Sequence, residues 1–210
     1  MGGSIMASKI NASTSGAGGL ISTADASGVL QLQSSGTTVA TVNPTGFQVN
    51  TYLPASSLIT SGTAVATTSG TSVTFTGIPA WVKKITVMFQ AVSTSGTSPL
   101  LIRIGNGSII NTGYVSAFWT ANITNGQSTT SFQVTGGAAA ASSFVGNIVI
   151  NNISGNSWVS SGVLGDSSAS SNTSISGGSI SLGGTLDRLA ITTVNGTDTF
   201  DAGSINILYE

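Results

Sequence analysis

The chain has 210 residues, of which only 5% are charged, five basic against six acidic, for a net charge of −1. An average soluble domain carries about 25% charged residues, so no basic patch for nucleic-acid phosphates can be assembled, and a lone copy has little charge to keep it dispersed. Cysteine and histidine are both absent, which removes disulfides, thiolate metal sites and the commonest acid–base side chain. Hydrophobic residues make up 40%, too many for a disordered chain of low net charge. They are mostly Val, Ile, Leu and Phe set among Thr and Ser, a strand composition. Met1 to Ala12 lacks a basic n-region followed by an apolar h-region, so no secretory signal is read, and Met6 is a second plausible start. No apolar run approaches the roughly 20 residues that span a bilayer, so membrane insertion is not expected.

The first 54 residues hold short extended pieces cut by glycine: Gly19 to Thr23, Val29 to Gln33, Thr37 to Val42 and Phe47 to Asn50. Val29-Leu30-Gln31-Leu32-Gln33 and Thr38-Val39-Ala40-Thr41-Val42 alternate with a period of two. No aromatic precedes Phe47, so this segment cannot make a core alone. It must lie against another surface or wrap with copies of itself. Residues 1–54 are read as an extended N-terminal anchoring arm or short shaft, the alternative being a flexible linker.

The pattern changes near Tyr52 to Pro54, and residues 55–210 read as one antiparallel β-sandwich, jelly-roll-like. Strands are expected at Thr63 to Thr68, Ser72 to Thr76 and Trp81 to Val92. In the last, Ile85, Val87, Phe89 and Ala91 fall on one face and Lys84, Thr86 and Gln90 on the other. Further strands are expected at Leu100 to Ile104, Tyr114 to Ile123, Thr130 to Thr135, Phe144 to Asn151, Ser157 to Leu164, Ser174 to Leu182, Asp187 to Val194 and Ser204 to Tyr209. Asn106-Gly107, Asn125-Gly126, Gly136-Gly137, Gly177-Gly178 and Asn195-Gly196 are turn signals. The clearest hairpin runs from Ala190 to Val194 through Asn195-Gly196 to Thr197 to Phe200. Ala138 to Ala141 is too short for a helix, and no fixed repeat period spans the chain.

The whole supply of carboxylates is Asp25, Asp166, Asp187, Asp198, Asp201 and Glu210. A glycosidase needs two of them facing a sugar ring. Asp187, Asp198 and Asp201 flank the predicted hairpin, where capping and turn formation is the plainer role. Asp198, Asp201 and the Asn195 amide offer hard oxygens for Ca²⁺, but their spacing is not that of an EF-hand loop. Lys83 and Lys84 point to opposite faces of a strand, one of them suited to pairing with a carboxylate. Serine lacks a histidine base, and no nucleophile elbow lies between a strand and a helix. Gly16-Ala17-Gly18-Gly19 does not follow the dinucleotide fingerprint. Asn-x-Ser/Thr triplets, as at Asn11, Asn106, Asn122, Asn152, Asn172 and Asn195, arise by chance in so Ser/Thr/Asn-rich a chain. Trp81, Tyr114, Phe118, Trp119 and Trp158 suit the core or a subunit interface, with sugar stacking open to any that are exposed. No catalytic, cofactor-binding or metal-binding residue is assigned.

The stretch from Gly77-Ile78-Pro79-Ala80-Trp81-Val82-Lys83-Lys84 to Phe89 resembles a module recurrent in phage tail fibres. So does Leu186-Asp187-Arg188-Leu189-Ala190-Ile191 through Asn195-Gly196-Thr197-Asp198 to Ile207. Ile21 to Asp25 and Leu30 to Val39 resemble repeats of phage fibre and head-decoration proteins, more loosely, because low-complexity strands converge easily. The resemblance covers most of the chain and implies no catalytic residues. It implies a non-enzymatic, homotrimeric protein on the surface of a tailed-phage virion, assembled in the host cytoplasm. Its partners are then copies of itself, the major capsid protein or tail proteins, and for a tail fibre a host surface glycan or protein. The short chain without a long shaft favours a head-decoration or cement protein; the module favours a short tail fibre or receptor-binding protein. A polysaccharide depolymerase would need paired carboxylates in a groove, and a free carbohydrate-binding module exposed coplanar aromatics and a secretion signal.

Overall fold

The structure, a computed structural model, describes residues 29–49, 59–168 and 172–210; the extended piece expected at Gly19 to Thr23 lies outside them. The chain divides into two units, Met1–Pro54 and Ala55–Glu210, each taken here by itself.

The described part of the first unit is a three-stranded antiparallel meander of β1 (Leu30–Ser34), β2 (Thr37–Asn43) and β3 (Gly46–Val49), in that spatial order. Ser35 and Gly36 close the first turn with φ of 50° and 78°, both left-handed as a type I′ hairpin requires. In the second turn the Asn43 side chain accepts from the Thr45 amide at 2.9 Å. Leu30 pairs with Val42 and Val42 with Phe47, while Leu32 pairs with Ala40 and Ala40 with Val49. Because strand side chains alternate between faces, these six apolar residues share one face and Gln31, Thr41 and Gln48 take the other.

The second unit adds β4 (Thr60–Ser61), β5 (Val65–Ala66), β6 (Ser72–Thr76), β7 (Lys84–Thr94), β8 (Leu100–Asn106), β9 (Ser108–Ile109), β10 (Val115–Thr120), β11 (Thr124–Ser128) and β12 (Phe132–Gln133). It continues with β13 (Phe144–Ser154), β14 (Ser157–Asp166), β15 (Thr173–Ser181), β16 (Arg188–Thr193) and β17 (Phe200–Tyr209). No described residue is helical. The larger sheet runs β11-β10-β15-β14-β13-β7-β17-β4, with β5 also on β17; the smaller runs β12-β8-β16-β6, with β9 on β8. Every pairing is antiparallel. One core lies between the sheets: Ile85, Val87 and Phe89 of β7, Ile148 and Ile150 of β13, and Ile205 and Ile207 of β17 share it with Val73 and Phe75 of β6, Ile102 and Ile104 of β8, and Leu189 and Ile191 of β16. The domain is therefore an all-β antiparallel sandwich, as its alternating strands predict.

Five local expectations need correction. The Asn195-Gly196 segment does not close a hairpin: β16 pairs with β6 and β8 in the smaller sheet, and β17 with β7, β4 and β5 in the larger. The Asn195 side-chain oxygen accepts from the amides of Thr197 and Asp198 at 3.0 and 3.2 Å, which turns the chain across the sandwich instead of back alongside itself. The expected strand Tyr114 to Ile123 breaks after Thr120, because Asn122 adopts a φ of 59° and the Ile123 amide bonds back to the Thr120 carbonyl at 3.2 Å. This makes a hairpin of β10 and β11, and Asn125-Gly126 lies inside β11, not in a turn. Gly177-Gly178 likewise lies within β15, where a Cβ on Gly178 would come within 2.8 Å of the Val115 carbonyl oxygen.

The fifth correction concerns Ala91, which is exposed while Val92 is fully buried. Ala91 has a φ of 51°, and the β7–β17 register shifts between Ala202 and Ser204. This is a β-bulge, and the extra residue hands the buried face from Phe89 to Val92. Gly203 sits across from it with a φ of 91°, and a Cβ there would stand 2.3 Å from the Ala91 carbonyl oxygen.

Candidate interaction surface

The carboxylates that sequence singles out are held in local structure. Asp187 forms a forked pair with its neighbour Arg188, at 2.8 and 3.0 Å, and accepts from the Gly107 amide at 3.0 Å. The Arg188 hydrogen bond, with the Gly107 amide, keeps its carboxyl below the usual range despite some desolvation. Asp198 accepts from Asn195 Nδ2 at 2.6 Å and from the Ser98 amide at 2.9 Å, which lowers its pKa. These bonds tie the β16–β17 crossing to the loop before β8. Asp201 is exposed at the start of β17. Asp166, at the end of β14, is buried. Burial alone would raise its pKa, but hydrogen bonds from Ser168, the Ser143 amide and Ser142 outweigh it and hold the carboxyl low. Asp166 thereby pins the Ala139–Ser142 turn, where a helix was ruled out. Lys84 pairs with Glu210 at a partly exposed strand end, and Lys83 reaches Asn152 at 3.3 Å. Among the described residues no group of three or more His, Cys, Asp or Glu is placed to hold a metal.

The aromatics divide as burial dictates. Trp158 and Tyr114 are in the core; the Tyr114 hydroxyl accepts from the Ile104 amide at 2.8 Å and donates to the Ile110 carbonyl at 3.1 Å. Burial pushes its pKa up to about 12. Phe118 is half-buried, and Trp81 leans on Tyr209 with ring centroids 5.8 Å apart. Trp119 alone of the five stands exposed.

Trp119 is part of a surface that sequence reasoning did not mark. It pairs across β10–β15 with Ile175, and Ile175 pairs across β15–β14 with Val163. These three neighbours form a row on the outer face of the larger sheet, 47%, 47% and 49% exposed. Val115 and Val145 extend the exposed apolar area on β10 and β13. Asp166 is the sole charged residue of β10, β15, β14 and β13, and it is buried, so this part of the face carries no charge.

The inner side of β13 is apolar, with Phe144, Ile148 and Ile150 in the core, but buried hydroxyls collect on the inner sides of β10, β14 and β15 beside Trp158, Leu164 and Ile180. Ser116 and Thr120 of β10, Ser160 of β14 and Ser174 of β15 are all buried. Thr120 and Ser174 bond to each other at 2.7 Å. The hydroxyls of Ser116, Ser160 and Ser176 and the Trp158 indole N–H have no protein partner. On β10 Ser116, Phe118 and Thr120 point in, and Val115, Ala117 and Trp119 point out. A periodicity of two is visible in Val115 to Thr120, but with apolar residues on both faces it does not say which face is inside.

The meander of the first unit is the second uncharged surface. Leu30, Val42 and Phe47 form a row across its three strands, and all three are exposed. No family model matches the chain, and no curated protein or solved structure matches it.

Proposed function

We propose that this chain is a non-enzymatic structural protein on the surface of a tailed-phage virion, a homotrimeric head-decoration (cement) protein that docks through its N-terminal residues 1–54. The observation that carries this reading is the amphipathic meander. A sheet with one apolar face buries that face against another layer. Leu30, Val42 and Phe47 offer such a layer to a partner, and neither β1, β2 nor β3 holds a charge that docking would strip of water. The sequence resemblance to phage fibre and decoration proteins, and the scarcity of charge, point the same way. A jelly-roll-like ordering belongs to this reading, supported by the way β6, β7 and β8, and again β15, β16 and β17, alternate between the two sheets.

The test is cosedimentation of the full chain with undecorated heads of the phage that encodes it. Wild type is expected to pellet with the heads, and Val42→Asp/Phe47→Asp to stay in the supernatant with the Ala55–Glu210 sandwich still folded. Equal pelleting of both refutes docking by the meander. The second reading, a short tail fibre or receptor-binding protein, is favoured by the exposed Trp119, whose ring is open to stack on a host glycan; it predicts binding to host cells and none to heads.

A further inference from the structure

We propose that the outer face of β10, β15, β14 and β13, centred on the row Trp119–Ile175–Val163, is where copies of this chain meet. This rests on the self-association in the reading above and names the surface that performs it.

The first reason is the polarity of β10. A shift of one residue in register would move every side chain to the other face. On β10 such a shift would bury Val115, Ala117 and Trp119 and expose Ser116, Phe118 and Thr120; the fold instead keeps two hydroxyl residues inside with Phe118, Ser116 without a protein partner. That pattern suits strands covered on both sides. The second reason is charge. Bringing two copies together over this face opposes no like charges and strips no ion of water, because β10, β15, β14 and β13 hold only the inward Asp166. A partner face rich in Lys or Glu would lose hydration here with nothing to pair with, whereas a second copy brings a matching uncharged face. The third reason is size. Its four strands, about 4.8 Å apart and roughly nine residues long at about 3.4 Å each, present about 590 Å². Two such faces bury about 1,200 Å² together, the lower end of a standard interface. The Lys84–Glu210 pair then falls at the rim, where polar groups keep their water.

Light scattering on the full chain tests this. Wild type is expected at a multiple of 20.7 kDa, and Val163→Lys/Ile175→Lys and Val163→Glu/Ile175→Glu each at the single-chain mass. Mixing the two charged variants is expected to restore a multimer, because Lys of one copy then meets Glu of another. A second probe avoids any loss of folding. The chain has no cysteine, and Ser161 lies exposed on this face, so Ser161→Cys supplies a lone thiol. Its reaction with a maleimide is expected to slow at least tenfold at concentrations where the chain is multimeric. A single-chain mass for wild type at about 100 μM, or a thiol rate independent of concentration, overturns the proposal. So does a mass that the charged substitutions leave unchanged. Heads left bare by a chain that still multimerises through this face would sink the head-decoration reading and leave the surface intact.

Discussion

Replacing Gly203 with alanine tests the bulge that sets the register of β7 and β17 in the larger sheet. Gly203 has a φ of 91°, and its added Cβ would stand 2.3 Å from the Ala91 carbonyl oxygen and 2.5 Å from that of Gln90. Both obstacles are backbone, so neither can swing aside. A non-glycine residue in so sparsely allowed a conformation costs about 1–3 kcal/mol, and overpacking that shifts backbone costs about another 1–3 kcal/mol. The expected loss is about 4 kcal/mol, or about 8–16 °C in Tm for a domain of this size. Gly196→Ala is the control: its φ is 68° but nothing lies within 4 Å of the added Cβ, so only the conformational cost of about 1 kcal/mol remains. Trp81, Trp119 and Trp158 all lie in the second unit, so tryptophan fluorescence in a urea titration reads this unit alone. A loss below about 1 kcal/mol for Gly203→Ala, equal to that of the control, would refute the packing of Gly203 against the bulge.

Other consequences follow from single groups. Tyr114, buried and raised from 10.0 to about 12, contributes stability that is complete below pH 10 and lost as pH rises through 12, an alkaline loss of about 2–3 kcal/mol; Tyr114→Phe is expected to flatten that limb in urea titrations, and an unchanged limb contradicts it. Asp166, Asp187 and Asp198 have carboxyls below their ordinary 3.8, so their contribution is full above that value and lost as pH falls through the lower folded values. Asp166→Ala is expected to cost about 2 kcal/mol at pH 7, from the donors it leaves unpaired, and to shallow the acid limb; an unchanged acid midpoint would disprove its role. Ser160→Ala removes a buried hydroxyl without a protein partner, so the urea midpoint is expected to hold or rise, and a loss above about 1 kcal/mol would show that the hydroxyl is satisfied.

The sandwich was legible because nearly every strand has a clear period of two and the turns are rich in glycine and asparagine. Where reading failed, backbone conformation set by tertiary context decided the outcome. Asn195-Gly196 has hairpin chemistry, yet Asn195 spends its side-chain oxygen on Thr197 and Asp198 and sends β17 to the opposite sheet. Ala91 fits the alternation of its strand, and only the bulge facing Gly203 removes it from the buried face. The candidate surface was hidden for a different reason. Trp119, Ile175 and Val163 come from strands far apart in the chain, and each sits in a run whose two faces look alike in hydrophobicity. Only the pairing of β10 with β15 and of β15 with β14 brings the three into a row. Leu30, Val42 and Phe47 were closer to legible, since their segment has too few bulky residues for a core of its own.

The central claim is a structural place on a virion surface, and imaging undecorated heads by electron cryomicroscopy after mixing with the full chain tests it most directly. Added density is expected at regular lattice positions, one multimer at each. Heads that stay bare, with no binding of the chain to host cells either, would contradict it.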